Sequence, residues 1–335
     1  MGDSNVMKER FEGIDGLKAY AILGIALMHI LANGNFGLNG FVFQKLIPSF
    51  TNLVFLFMMI SGFGMCCGYY QKILDQKISV EDFYKKRYMK IWPYFALLCL
   101  LDFVISPSKE SLFEVFSNLT LAQGLLPNAN ISVIGVSWTL AVIFVFYMLF
   151  PFFCFLIKNK RRAWGVAIIA LIFNWLCSSY FNATRTNIIY DAVYFICGGL
   201  IFLYRKELSD FASKNKIVIG GILLISVITY FVVAHSTITM LFFCVAALVC
   251  TLGCNRGVLV NPVAKFLGSI SFEIYLCHMV IYRMLEKVHL IYLFGDGVFA
   301  YIFTAFAVIC GSVVFSLCAK WFLNKMLNYR RISNV

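Results

Sequence analysis

Apolar residues run along this chain in long blocks, broken by short polar, basic or glycine-containing stretches, and each block is near the ~20 residues a helix needs to cross a hydrocarbon core. Ten spans are expected, at residues 15–33, 48–70, 88–106, 132–157, 163–181, 187–204, 216–233, 236–253, 268–285 and 297–320. Between the third and fourth, residues 110–127 read as a short amphipathic or re-entrant piece that does not cross. The expected fold class is therefore all-α, a polytopic membrane bundle of about ten transmembrane helices. No extramembrane stretch is long enough for a second domain, so residues 1–335 form one membrane domain with tails at 1–14 and 322–335.

Composition agrees with the pattern. The chain is 61% hydrophobic and only 13% charged, far from the roughly one-quarter charged residues of a soluble globule. Its formal charge of +12 is informative through where Lys and Arg fall, because basic loops stay cytoplasmic. With the N-terminus inside, only Lys45, Lys109, Arg185, Arg283 and Lys287 of the 28 Lys and Arg face outward. Both termini are therefore expected in the cytoplasm, and nucleic-acid binding is not the meaning of the charge. No cleavable signal peptide is expected before the first span. The 12 cysteines are scattered through apolar blocks without CxxC or metal spacing, so they read as packing residues and no metal site is expected. Asn-x-Ser/Thr triplets at Asn118, Asn130 and Asn182 fall on the outer side, at a frequency chance explains.

The candidate chemistry begins in the first span. Lys18 and His29 are eleven positions apart, which returns a helix to within about 20° of its starting face and separates the two by roughly 16 Å along the axis. A lysine at the membrane surface thus stands above a histidine inside the bilayer. An ionisable group in hydrocarbon costs on the order of 2–3 kcal/mol or more unless it faces a bundle interior or wet cavity, so His29 is a candidate site residue. A neutral imidazole suits a general base, and a base is better oriented when its second nitrogen is held. Asp102 and Asp191, both near the outer ends of their spans, are the carboxylates at His29's depth, while Glu273 lies nearer the inside. Asp15 can pair with Lys18 three residues on. His278 stands mid-membrane, whereas His235 and His289 fall in outer loops.

A series of motifs in order resembles the acyltransferase-3 family of integral membrane acyltransferases. The stretch from Arg10 to His29 is similar to its first-helix signature of a basic residue, ten residues and a histidine. Ser61-Gly62-Phe63 resembles its Ser-Gly-Phe, and Phe83 to Pro93, with Arg87 and Lys90, resembles its basic Arg-x-x-Arg lead-in to the third helix. Trp138-Thr139-Leu140 through Phe146-Tyr147 to Pro151 is similar to its Trp-Ser-Leu, Phe-Tyr and Pro helix. Ser271 and Ile274-Tyr275-Leu276 to His278 resemble its Tyr-Leu-x-His element. The chain departs where many members carry a glutamate five residues after the tryptophan: here that position is Ile143. If that glutamate orients the base elsewhere in the family, another group does so here, or none.

The resemblance implies transfer of an acyl group, acetyl being commonest, from cytoplasmic acetyl-CoA or another acyl-CoA to a hydroxyl of a cell-surface polysaccharide, glycolipid or lipid-linked sugar. The expected location is the cell membrane, bacterial and inner, with membrane lipid as a constant partner. His29 would be the base. Lys18, Arg87 and Lys90 at the cytoplasmic mouth would hold the donor phosphates, and Ser61, Trp138, Tyr147 and His278 would line its path, although Ser61-Gly62 also reads as a close-packing pair. A secondary transporter of a small polar or anionic solute would also explain many spans, but it predicts repeat symmetry that is absent here. A sensor or scaffold would leave His29 dispensable.

Overall fold

The computed structural model describes residues 11–105, 107–121, 125 and 134–327. Arg10, Asn130, most of 122–133 and the ends of both tails lie outside the described residues. Everything regular among the described residues is helical. In chain order the helices are α1 (Gly13–Asn33), α2 (Val42–Leu74), α3 (Val80–Ile105), α4 (Lys109–Leu119) and α5 (Ser137–Leu156). There follow α6 (Lys160–Ser179), α7 (Ile188–Leu203), α8 (Arg205–Lys214), α9 (Lys216–Val233) and α10 (Thr237–Leu252). The last three are α11 (Pro262–Ser269), α12 (Ser271–Lys287) and α13 (Val298–Leu327).

Seven of these are long and apolar enough to cross a membrane, and nine spans result when each of two bent pairs counts as one. Each of the ten expected blocks is a helix, and three of them differ from a simple full-length span. The 187–204 block is α7, whose apolar run stops at Leu203, and the polar α8 turns away from it by 76°. The 268–285 block is α12 preceded by α11 at 72°; Pro262 starts α11, with the Asn261 side chain capping Ala264 N–H. The 236–253 block is α10, only 16 residues long. Hydropathy marks where the chain is apolar, whereas helices continue wherever the backbone keeps its own hydrogen bonds, so α3 begins at Val80 rather than 88.

The 110–127 piece is the short α4, opened by a capping box between Ser108 and Ser111. It folds back along α3, and its final carbonyls lack intrahelical partners. The Trp92 indole N–H and the Tyr88 hydroxyl of α3 both donate to the Leu119 carbonyl, at 2.9 and 3.1 Å.

Backbone contacts at glycines fix the central helices. α2 and α7 run side by side in the same direction, Phe55 stacking on Tyr194 at 4.5 Å and Tyr70 meeting Phe202 at 5.3 Å. A methyl at Gly62 would drive into the Phe195 carbonyl, and one at Gly198 into that of Met59. In the same way Gly16 admits the backbone of Leu259 and Gly268 admits that of Asp15, seating α11 against the start of α1. Gly62→Ala is expected to destabilise the detergent-solubilised protein by about 1–3 kcal/mol through overpacking. Gly64→Ala, where an added methyl meets nothing within 4 Å, serves as the control; a thermal midpoint lowered only by the first substitution checks the contact.

Candidate active site

His29 lies near the end of α1, half-buried, and its ring stands 5.3 Å, centroid to centroid, from that of His278 on α12. His278 is fully buried. Its Nδ1 lies 2.7 Å from the Tyr275 carbonyl and 3.3 Å from that of Ile274. A carbonyl only accepts, so Nδ1–H donates to it and the neutral ring keeps its lone pair on Nε2. Nε2 has no hydrogen-bond partner among the described residues. A buried polar atom left open beside a half-exposed imidazole is costly as packing and useful as a site.

Around this pair the polar contacts extend both ways. The Tyr275 hydroxyl donates to Thr139 Oγ1 at 2.9 Å and lies 3.1 Å from the Val136 carbonyl, tying α12 to the first turn of α5. Next to Thr139, the Trp138 ring carries the Arg185 guanidinium 5.2 Å from its centroid. Arg185 comes from the α6–α7 connection and donates from Nη1 to Thr51 Oγ1 at 2.8 Å. Its charge acts on His29, Tyr275 and Asp191.

Toward the N-terminal end of α1 a second guanidinium is held. Arg87 donates to the Tyr69 hydroxyl at 2.6 Å and lies 4.6 Å from that ring and 5.9 Å from the Tyr147 ring. Ser61 is within interaction range of the Tyr147 hydroxyl. Nε of Arg87 is buried without a partner among the described residues. Helix α2 gives the scale of the arrangement: Thr51 meets Arg185, Phe57 meets Tyr275, and Tyr69 meets Arg87. At about 1.5 Å per helical residue, the two guanidinium sites are roughly 25 Å apart along α2, with the histidine pair at the level between them.

The structure thus brings together Arg87, Ser61 and Tyr147 in one cluster, and His29 with His278 in another. It separates others. Lys18 pairs with Asp15 at 3.2 Å, and Lys90, one turn beyond Arg87, is exposed. Asp102, offered by the sequence to orient His29, is buried on Arg283 at 2.9 Å. Asp191 is fully buried and neither of its oxygens has a hydrogen-bond partner among the described residues. Glu273 pairs with Lys320 at 2.9 Å. His278 therefore occupies the place beside His29 for which a carboxylate is expected. Arg185 is the residue that sequence reasoning passed over, because a lone outer-loop arginine registers there only in the charge count.

A family model described as an acyltransferase domain matches residues 11–321, nearly the whole chain. The chain belongs to the acyltransferase-3 family. It is a membrane acyltransferase, and the motif residues of that family sit on the helices that build the two clusters. No curated protein and no solved structure matches the chain. In this acyltransferase the rings of His29 and His278 stand side by side, tilted at 46° to each other.

The exposures of the two rings predict their reactivities. Treated with diethylpyrocarbonate and read by peptide mass spectrometry, His29 is expected to react at least about tenfold faster than His278, whose modification requires local opening. Equal rates would remove the open and closed pairing described here.

Proposed function

We propose that this acyltransferase moves an acetyl group from cytoplasmic acetyl-CoA to a hydroxyl of a cell-surface polysaccharide, glycolipid or lipid-linked sugar, with His29 as general base. The observation that carries the reading is the position of the half-open His29 ring, beside an unpartnered imidazole nitrogen and at the level between two guanidinium sites.

The basic ends of α1 and α3 face the cytoplasm in this reading. The donor's phosphates rest at the mouth near Lys18, Arg87 and Lys90, Arg87 acting as the bidentate clamp. The thioester arm passes Ser61 and Tyr147 toward His29. A hydroxyl of the acceptor gives its proton to the free nitrogen of His29, and its oxygen attacks the thioester carbonyl. The carbon–sulfur bond then breaks, and the leaving thiolate takes the proton back from the imidazolium, so the new ester and the free thiol balance the two reactants. His278 is a positioning residue: its Nε2, open in this structure, would accept the other N–H of His29 when the rings close during the reaction and so select the tautomer, the part a carboxylate plays in a catalytic triad.

Membrane vesicles supplied with labelled acetyl-CoA test the roles. His29→Ala is expected to lower acetyl transfer by about 10²–10⁴-fold, the worth of a general base, and equal incorporation by wild type and variant would overturn the proposal. Arg87→Ala is expected to act mainly on KM for acetyl-CoA, raising it roughly tenfold or more for the loss of a charge-assisted contact of about 1.5–3 kcal/mol. His278→Ala is expected to act on kcat with that KM unchanged.

A further inference from the structure

The end of the bundle opposite the start of α1 holds a cavity of about 730 Å³, within the roughly 300–1,000 Å³ of small-molecule sites. It is bounded by the α6–α7 connection, the α9–α10 connection and the outer part of α2. Amides, hydroxyls and phenols contribute to its wall from Asn52, Asn182, Tyr190 and Tyr194, an imidazole from His235, and Arg185 is the one Lys or Arg lining it among the described residues. Neutral groups of this kind match the hydroxyls of a sugar ring, and aromatic faces match its apolar side.

Two features show a site rather than a gap. The Tyr194 hydroxyl belongs to a fully buried residue of the cavity wall and has no partner among the described residues. Arg185 carries a full charge without a carboxylate paired to it among the described residues: one N–H goes to the neutral Thr51 hydroxyl and its plane rests on Trp138. Asp191, within reach of its field, makes no hydrogen bond to it. The connection that presents it is pinned, Ala183 N–H donating to the Cys177 carbonyl and Asn187 N–H to that of Thr184, both at 2.9 Å. Asn182 takes the left-handed conformation there, with φ 51°, which asparagine tolerates better than most residues. A preorganised guanidinium with open N–H groups binds a planar or tetrahedral anion.

We infer that this cavity is the acceptor subsite and that it takes a sugar unit carrying an anionic group, a carboxylate or a phosphate, seated on Arg185. The inference rests on the proposed acetyl transfer and adds the chemical class of the acceptor. From Arg185 the path to the histidines is short in contacts: Trp138 leads to Thr139, Thr139 to the Tyr275 hydroxyl, and Tyr275 is one helical turn before His278. His29 and His278 do not themselves line the cavity; the contact chain from Arg185 is what joins them to it.

The purified full chain in nanodiscs, without acetyl-CoA, is titrated with glucuronate, glucose 1-phosphate and glucose, reading the fluorescence of Trp138 under Arg185 against a Trp138→Phe control. Glucuronate or glucose 1-phosphate is expected to saturate the signal at a concentration at least about tenfold below glucose, for one charged contact; which of the two does so separates a carboxylate from a phosphate source. Arg185→Gln is expected to abolish the preference and Arg185→Lys to keep part of it. Equal responses to the charged and neutral sugars, or an unchanged preference in Arg185→Gln, would overturn the inference. If charged sugars bind while His29→Ala still transfers acetyl, the subsite stands and the proposed reaction falls; the reverse pair of results does the opposite.

Discussion

Hydrocarbon cannot solvate a polar group, and the interior of this bundle is arranged around the few places where polar groups are nevertheless kept. The contact of α1 with α12 is the most consequential of them. It sets two imidazoles 5.3 Å apart, one ring closed off and locked through Nδ1, the other partly open. Neighbouring polar contacts support that meeting. Tyr275 is anchored to α5 through Thr139, and α13 meets α1 through the Tyr301 hydroxyl on the Leu27 carbonyl at 3.0 Å. The Asp102–Arg283 pair fastens the far end of α12 to α3.

Close helix approach is what makes such an arrangement possible. Apolar side chains pack no better against each other than against lipid tails, so small residues that let backbones touch do most of the specifying. Gly62 and Gly198 bring α2 and α7 to backbone contact, which holds Ser61 on the face turned to Tyr147. The Ser-Gly pair is thus read both ways at once, the glycine as packing and the serine as lining. With its position fixed by α7, α2 spaces the two guanidinium groups, and Phe57 between them meets Tyr275, one turn before His278.

Several features of the site are legible along the chain because they depend on one helix alone. The face shared by Lys18 and His29 follows from helical geometry, and the ordered motifs identify the family without any contact map. Features that need two helices are not legible in this way. Arg87 and Lys90 look equivalent in the basic lead-in, yet a one-turn difference buries part of one against Tyr69 and leaves the other exposed. Asp102 and Asp191 look like partners for His29 by depth, but depth says nothing of azimuth: the first closes on Arg283 and the second is buried without a hydrogen-bond partner among the described residues. Arg185 is four residues beyond the end of its sequence block and folds back over Trp138 only because the connection curls inward.

By itself the sequence determined that this is an all-helical membrane acyltransferase, where its apolar helical blocks lie, and that Lys18 and His29 share one face of the first helix. Those properties are set by hydropathy and by the 3.6-residue turn, both local. Tertiary structure alone decided that His278, rather than Asp102 or Asp191, neighbours His29, that two spans bend and one is short, and that an arginine from the α6–α7 connection lines the cavity. The physical reason is that pairing across helices depends on how each helix is rotated about its axis, and that rotation is chosen by backbone contacts at a few glycines far apart in the chain.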